Sequence, residues 1–249
     1  MSGHSKWSTI KRKKAATDAA RGKVFSKFIK EITLAARIGG GDPADNPRLR
    51  TAIAAAKAVN MPASNIDRAV KRGAGELEGA MIEEIHYEGY GPHGVAILVE
   101  VATDNRNRAA GDVRHIFTRF GGSLAEAGAV SYLFKPRGVI LVERKAAAED
   151  MLMEVALEAG ADDVTTGDDS FEVLTPPAAF ESVRDAVEKM GIPVQSAEIT
   201  KLASVTVPLD EKAAASVFKL IEALEDHDDV QKVYANFEVS DEILARLSG

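Results

Sequence analysis

The basic residues near the start of the chain have the types and spacing needed to bind phosphate. Lys11, Arg12, Lys13 and Lys14 are consecutive, and the only tryptophan, Trp7, precedes them. Such cations attract phosphates, and counterion release then supplies much of the affinity for a nucleic acid. An aromatic ring can also stack on an unpaired base, but a lone tryptophan near a small core usually packs into that core. We therefore interpret the four cations as nucleic-acid contacts and Trp7 as a core residue.

A second set of basic residues lies on a helix that the apolar spacing predicts from residue 21 to residue 38. Its cations recur at i, i+4, i+7 and i+14, within a narrow arc opposite the apolar residues. The next predicted helix carries three more. The candidate nucleic-acid contacts are Lys6, Lys11, Arg12, Lys13, Lys14, Lys23, Lys27, Lys30, Arg37, Arg48, Arg50 and Lys57.

The charge of the chain is distributed unevenly. Residues 1–75 contain 16 Lys and Arg against 5 Asp and Glu, whereas residues 76–249 contain 15 against 33, so the two parts carry +11 and −18. This asymmetry favours a polyanion partner for the first part only. We expect a nucleic acid to meet the basic part and to be repelled by much of the remainder.

The sequence contains no pattern typical of a catalytic or metal site. It has no cysteine, no Walker A, HExxH or GxSxG motif, and no histidine pair at ligand spacing. Gly89–Gly94 matches GxGxxG, but a predicted strand follows it, whereas a dinucleotide fingerprint opens a helix. The acidic run Glu225–Asp229 is typical of a solvated loop, with metal binding as the alternative. We predict no enzyme activity, no metal and no cofactor.

The segment Thr103–Arg108 lies between a predicted strand and a predicted helix. Asp104 or Asn105 can cap the helix, which suffices to explain the polar residues. The alternative adds Arg106 and Arg108 as contacts to a phosphate or an RNA backbone at the positive end of the helix.

Glycine and proline delimit the helices that must position the basic residues. Gly39–Gly41 ends the first helix, since three glycines cost too much backbone entropy to continue it. Asn46 and Pro47 have the types expected at the N-cap and first position of the second helix. Pro62 opens a short third helix that Gly73 ends. These helices predict an all-α domain over residues 1–78.

Strands alternate with helices in the remainder of the chain. Residues 137–200 have the order β-α-β-β-α-β of a ferredoxin-like sandwich. Neither flanking stretch closes a sheet alone, so residues 79–136 and 201–240 are expected to form one discontinuous α+β domain around that insertion. Three contiguous domains are the alternative. The flanking elements are predicted as strands at 82–87, 95–102, 130–134, 203–207 and 230–239, and helices at 106–120 and 211–224.

The sequence also predicts a soluble, cytoplasmic protein. No stretch approaches the ~18 consecutive apolar residues of a membrane helix. The first twenty residues are basic and lack the apolar segment of a secretory signal. A membrane partner is therefore not expected.

Five motifs occur in order along the chain: GHSKW at residues 3–7, GGGDPADNPRLR at 39–50, NMP at 60–62, YEGYGP at 87–92 and TDNRNR at 103–108. Together they resemble the YebC/PmpR family over nearly the whole chain. The resemblance implies an α+β protein of three domains, an all-α N-terminal domain and two ferredoxin-like α+β domains. The glycine-rich run Gly121–Gly128 departs from the family pattern, which weakens any binding role for that loop.

The resemblance also implies a function, because bacterial members are described as cytoplasmic DNA-binding transcriptional regulators and none is an established enzyme. The mitochondrial branch resembles a translational activator acting at the ribosome, and bacterial members have also been placed there. We therefore expect a non-enzymatic, nucleic-acid-binding regulator of gene expression that acts on DNA in transcription. The alternative is a translation factor that contacts ribosomal RNA.

Overall fold

The structure, a computed structural model, describes residues 18–167 and 169–248. These residues divide into two compact units. One contains residues 18–131 and 207–248, and the other contains residues 132–206. Along the chain, the second unit therefore lies within the first. No helix of the described residues is long and apolar enough to span a membrane.

The first unit begins with three helices, α1 (Asp18–Gly39), α2 (Pro47–Ala58) and α3 (Ala63–Gly73). Their apolar faces meet in one core, and all three predicted helices are confirmed. The close crossing of α1 and α3 requires Gly73, where a Cβ would lie 2.3 Å from the carbonyl oxygen of Thr33. The core residues include Ile32, Ala36, Leu49, Ala56, Ile66 and Ala69.

Asn46 holds the start of α2 in place, as the sequence predicts. Its Oδ1 accepts from the N–H of Leu49 at 3.0 Å, and its Nδ2 donates to the carbonyls of Ala35 and Gly40, each at 2.8 Å. Because Asn46 is only 4% exposed, these bonds form away from water. One side chain therefore caps α2 and joins it to the end of α1.

The same unit contains a four-stranded antiparallel sheet of order β3-β1-β2-β9. Helices α4 (Arg106–Arg119) and α7 (Glu211–Glu225) pack on one face of the sheet around Ile97, Val99 and Phe117. On the other face, Ala102 contacts Leu34 of α1 and Ile82. The strands are β1 (Glu83–Tyr90), β2 (Ala96–Thr103), β3 (Ser123–Leu124) and β9 (Val230–Ala235).

The strand predicted at residues 130–134 is wrong, and a buried carboxylate explains why. Glu88 is 7% exposed and accepts from the backbone N–H groups of Gly128, Val130 and Ser131 at 2.7, 2.7 and 2.8 Å. Burial acts to raise the pKa of Glu88, but these bonds lower it overall. Since these N–H groups donate to the Glu88 carboxylate, they are not available for the hydrogen bonds of a strand ladder. The strand that pairs with β1 here, β3, forms earlier in the chain.

The end of the unit also differs from the prediction. The strand expected at 230–239 divides at Asn236, whose Oδ1 accepts from the N–H of Ala96 at 2.7 Å. The next strand, β10 (Phe237–Glu238), pairs instead with β8 (Val207–Pro208), so only the end of the strand expected at 203–207 forms here. A final helix, α8 (Asp241–Ser248), was not expected.

The second unit has the predicted ferredoxin-like order, with a sheet arranged β5-β6-β4-β7 and every neighbour antiparallel. Ile140, Val142 and Phe171 pack with the helices in its core. Its elements are β4 (Phe134–Glu143), α5 (Glu149–Glu158), β5 (Asp163–Thr166), β6 (Ser170–Thr175), α6 (Phe180–Lys189) and β7 (Val194–Ala203).

Asn46→Ala tests the cap. We expect the free energy of unfolding to fall by about 2–3 kcal/mol, because the variant loses a helix cap and leaves buried backbone groups without partners. Chemical denaturation measures the change. Asn107→Ala, an exposed asparagine on α4, is the matched control and should change stability by about 0.5 kcal/mol or less. Equal effects of the two variants would contradict the assignment.

Candidate nucleic-acid interface

The predicted contact residues fall into three groups. Five of them lie outside the described residues: Lys6, Lys11, Arg12, Lys13 and Lys14. Another five bond to groups of the protein itself: Lys23, Lys27, Lys30, Arg48 and Arg50. Arg37 and Lys57 are exposed and make no ion pair with any described residue. The nucleic-acid role of all twelve stays a prediction.

The lysines of α1 contact the acidic run Glu225–Asp229, here called the acidic loop, which begins at the last residue of α7. Lys23 pairs with the carboxylate of Asp226 at 2.9 Å, and Lys27 donates to the carbonyl of Glu225. The Glu225 carbonyl is at the negative end of the α7 dipole, where a cation is favoured. The i, i+4 and i+7 spacing therefore places the lysines against the acidic loop of the protein itself.

Lys30 reaches the most buried acid of this contact. It donates to the carbonyl of Asp228 at 3.0 Å and forms an ion pair with Asp229. The Asp229 side chain is 3% exposed and also accepts from Arg108 and Thr103, each at 2.9 Å. Asp229 thus joins α1, the end of β2 and the start of α4 through one carboxylate.

Hydrogen bonds keep the Asp229 carboxylate ionised. Burial acts to raise its pKa, because a charge is poorly solvated inside a protein. Donation from Lys30, Arg108 and Thr103 outweighs burial and lowers the pKa of Asp229 to about 2. Removing one partner of such a network strongly destabilises a protein, because the charges that remain are buried without compensation.

The motif Thr103–Arg108 is explained by this network. Asn105 caps α4 by accepting from the N–H of Arg108 at 3.1 Å. The guanidinium of Arg108 is occupied by Asp104 and Asp229, and these bonds raise its pKa. Of the two arginines considered as phosphate contacts, only Arg106 is exposed without an ion pair to a described residue.

Arg48 and Arg50 also use their donors internally. Arg48 bonds to Glu31 of α1 and Glu84 of β1, each with a shortest distance of 2.8 Å, and the bond to Glu31 is the largest cause of its raised pKa. Arg50 donates to the carbonyls of Pro43 and Ala44 at 2.7 and 3.1 Å. Arg48 therefore links the helices to the sheet, and Arg50 closes the loop before α2.

Sequence reasoning interpreted the acidic loop as solvated and so missed its role. Only Asp226 and Asp228 are exposed, whereas Asp229 is buried. His227 is also engaged, with Nδ1 accepting from the Asp229 N–H at 3.1 Å and Nε2 lying 3.3 Å from Asp112. The signal was the opposite charge of two distant segments, but charge alone does not show which cations and acids are paired.

Two family models match the chain. The N-terminal domain of TACO1/YebC proteins matches residues 5–76, and their second and third domains match residues 82–237. The chain belongs to the YebC family.

Relatives of similar length support the same assignment. A Geobacter sulfurreducens protein named probable transcriptional regulatory protein is 59% identical over 99% of this chain and 100% of its own length. A Syntrophobacter fumaroxidans protein of the same name is 57% identical over the full length of both chains. A conserved hypothetical protein from Aquifex aeolicus, whose crystal structure has been solved, is 52% identical in sequence. The match covers 91% of this chain and 94% of that chain, and the two structures superpose with a TM-score of 0.79.

Asp229→Asn tests the network and its pH dependence. At pH 7 the variant loses the charge that faces Lys30 and Arg108, so stability should fall by about 2–4 kcal/mol. Because the folded pKa of about 2 lies below the unfolded value, the ionised Asp229 stabilises the fold fully above about pH 5. Its contribution is lost as the pH falls towards 2, so the difference between the two proteins should shrink there.

The measurement is denaturant unfolding of both proteins between pH 7 and pH 3. Asp226→Asn is the control, because Asp226 forms an exposed pair with Lys23 and such pairs contribute about 1 kcal/mol or less. A difference between wild type and Asp229→Asn that is constant with pH would contradict the assignment of the stabilisation to the ionised carboxylate.

Proposed function

We propose that this protein is a non-enzymatic regulator of gene expression that binds nucleic acid through residues 1–78, here called the helical region after helices α1 to α3. The names of its relatives support regulation of transcription. The observation that carries the binding proposal is the set of basic side chains left on the surface: Arg37, Lys57 and Arg68, on α1, α2 and α3, are exposed and make no ion pair with a described residue. The basic run at residues 11–14 adds four more cations to this part.

The binding mode we propose is contact with phosphates rather than with base edges. Arginine is the side chain best suited to bidentate recognition of guanine, whereas lysine acts as a point charge. Arg48 and Arg50 already donate to Glu31, Glu84 and backbone carbonyls. The exposed Arg37 and Arg68 lie on two different helices, α1 and α3. The helical region should therefore discriminate weakly between duplex sequences, below the ~10³-fold typical of specific regulators.

This mode supports one alternative function. Contacts to the backbone serve a structured RNA as well as a DNA duplex, since RNA is often recognised by shape and phosphate position. A translation factor associated with the ribosome would use the same basic surface. Transcription is the function we favour, because it is the one that the relatives' names state.

Replacing Lys11, Arg12, Lys13 and Lys14 by alanine in the full chain tests the proposal. We expect weaker binding to all sequences, because four phosphate contacts are lost. The slope of log K against log salt should flatten by up to about 3–4 on duplex DNA, at ~0.9 per contact. Fluorescence anisotropy with a labelled mixed-sequence duplex and a labelled RNA hairpin measures both, and tighter binding of the hairpin would favour the translational alternative.

The control removes four exposed lysines elsewhere, Lys135, Lys145, Lys189 and Lys212, and so changes the net charge equally. We expect this variant to keep the salt slope of the wild type. A slope that is unchanged in the first variant, or reduced equally in both, would show that residues 11–14 are not a specific contact.

A further inference from the structure

Helix α4 differs in charge from the other helices that follow the helical region. It contains four arginines and one acid, Asp112, whereas α5, α6, α7 and α8 each carry more acids than bases. The surrounding part of the chain, residues 76–249, has a net charge of −18. A positive helix in such a part needs a reason, because solubility alone would not require it.

The positive charge of α4 lies on its solvent face. Ala109, Val113 and Phe117 are fully buried against the sheet. The opposite side carries residues at i, i+4, i+7 and i+11, which fall within an arc of about 60° on a helix. These residues, all exposed, are Asn107, Gly111, Arg114 and Thr118. The exposed His115 and Arg119 lie about 40° and about 80° beyond one edge of this arc.

The only acid of α4 and one of its arginines contact residues outside this face. Asp112 lies 3.3 Å from His227 in the acidic loop, and Arg108 is occupied by Asp104 and Asp229. Arg114 makes no ion pair with a described residue. Arg119 lies over the Phe120 ring, with its guanidinium carbon 5.5 Å from the centroid. The solvent side of α4 therefore presents two guanidinium groups on one helix, Arg114 within the arc and Arg119 beside it.

Gly111 gives an independent reason to expect a ligand. Glycine is among the poorest helix formers, and here no packing requires it, because a Cβ at Gly111 would meet nothing within 4 Å. A glycine in such a place lets another backbone approach the helix closely. Here the approach would be between Asn107 and Arg114, whose side chains can donate hydrogen bonds.

We propose that the solvent face of α4 is a second nucleic-acid contact, which binds the phosphodiester backbone where it crosses the helix at Gly111. This inference rests on the proposed function and extends it to the acidic part of the chain. Arg114 and Arg119 supply bidentate donors for phosphate oxygens, and Asn107 supplies a neutral donor. An α-helix of this kind fits the major groove of a DNA duplex, and a structured RNA offers the same phosphates.

The experiment compares two double variants of the full chain, Arg114→Ala/Arg119→Ala and Lys212→Ala/Lys219→Ala. The second pair removes two exposed cations from α7, the other helix on the same sheet face. Anisotropy is measured with a labelled mixed-sequence DNA duplex and with a labelled RNA hairpin. We expect the α4 variant to lose about tenfold in affinity and up to about 2 from the salt slope on the duplex, while the α7 variant binds as the wild type.

Gly111→Gln distinguishes contact from folding. Glutamine is a better helix former than glycine and meets no neighbour here, so the melting temperature should rise or stay constant. Its side chain would nevertheless block the close approach, and we expect binding to weaken. Loss of affinity in a more stable protein has no explanation in misfolding.

The outcomes separate the two proposals. Failure of the unmodified protein to bind either probe would overturn the proposed function and this inference with it. If the wild type binds, and the α4 double variant and Gly111→Gln bind as tightly as the α7 double variant, only the α4 contact is overturned. A loss confined to the duplex or to the hairpin would support the contact and identify the nucleic acid that it serves.

Discussion

The ionised carboxylate of Asp229 is the interaction on which the arrangement of the first unit depends. It lies in the turn after α7 and receives donors from three other elements: Lys30 of α1, Thr103 at the end of β2 and Arg108 of α4. An isolated charge in this position would be strongly destabilising, because burial removes its hydration. The donors must therefore be in place for the chain to fold this way. In return, Asp229 holds α1 and the first turn of α4 against the end of β2.

This network divides the basic residues of the helical region into two kinds. Lys23, Lys27 and Lys30 hold α1 against the acidic loop, and Arg48 connects α1 to the sheet through Glu31 and Glu84. Their charged groups lie against carboxylates or carbonyl oxygens of the protein, so they contribute less than free cations to the field that a distant polyanion experiences. The attraction predicted from a charge of +11 must come from the cations that have no such partners. Sequence counts alone overestimate the charge available for binding.

The sequence predicted elements well where short-range chemistry decides them. The Asn46 cap, the three helices and the β-α-β-β-α-β order of the second unit depend on caps, glycines and periodicity within a few residues. The errors at residues 130–134 and at Asn236 share a different cause. There a side chain, Glu88 in the first case and Asn236 in the second, takes backbone N–H groups that a strand ladder would use. No local pattern reports such a partner.

The candidate site could be predicted in part for the same reason. Helical spacing correctly placed Lys23, Lys27 and Lys30 on one face of α1, but it could not show that the acidic loop covers that face. The sequence pattern did not indicate the solvent face of α4, because its arginines are dispersed among neutral residues and lie within an acidic part of the chain. Whether a cation is engaged or exposed is a property of tertiary contacts.

A buried carboxylate and a buried aromatic ring hold α4 at its two ends. Asp229 binds Arg108 in its first turn, whereas Phe117 in its last turn lies in the core. Ala109 and Val113 pack into the same core between them. A helix fixed at both ends and along its inner face presents its outer face with little conformational freedom. Such preorganisation lowers the entropy lost on binding, so Asp229 also serves a basic surface that it does not touch.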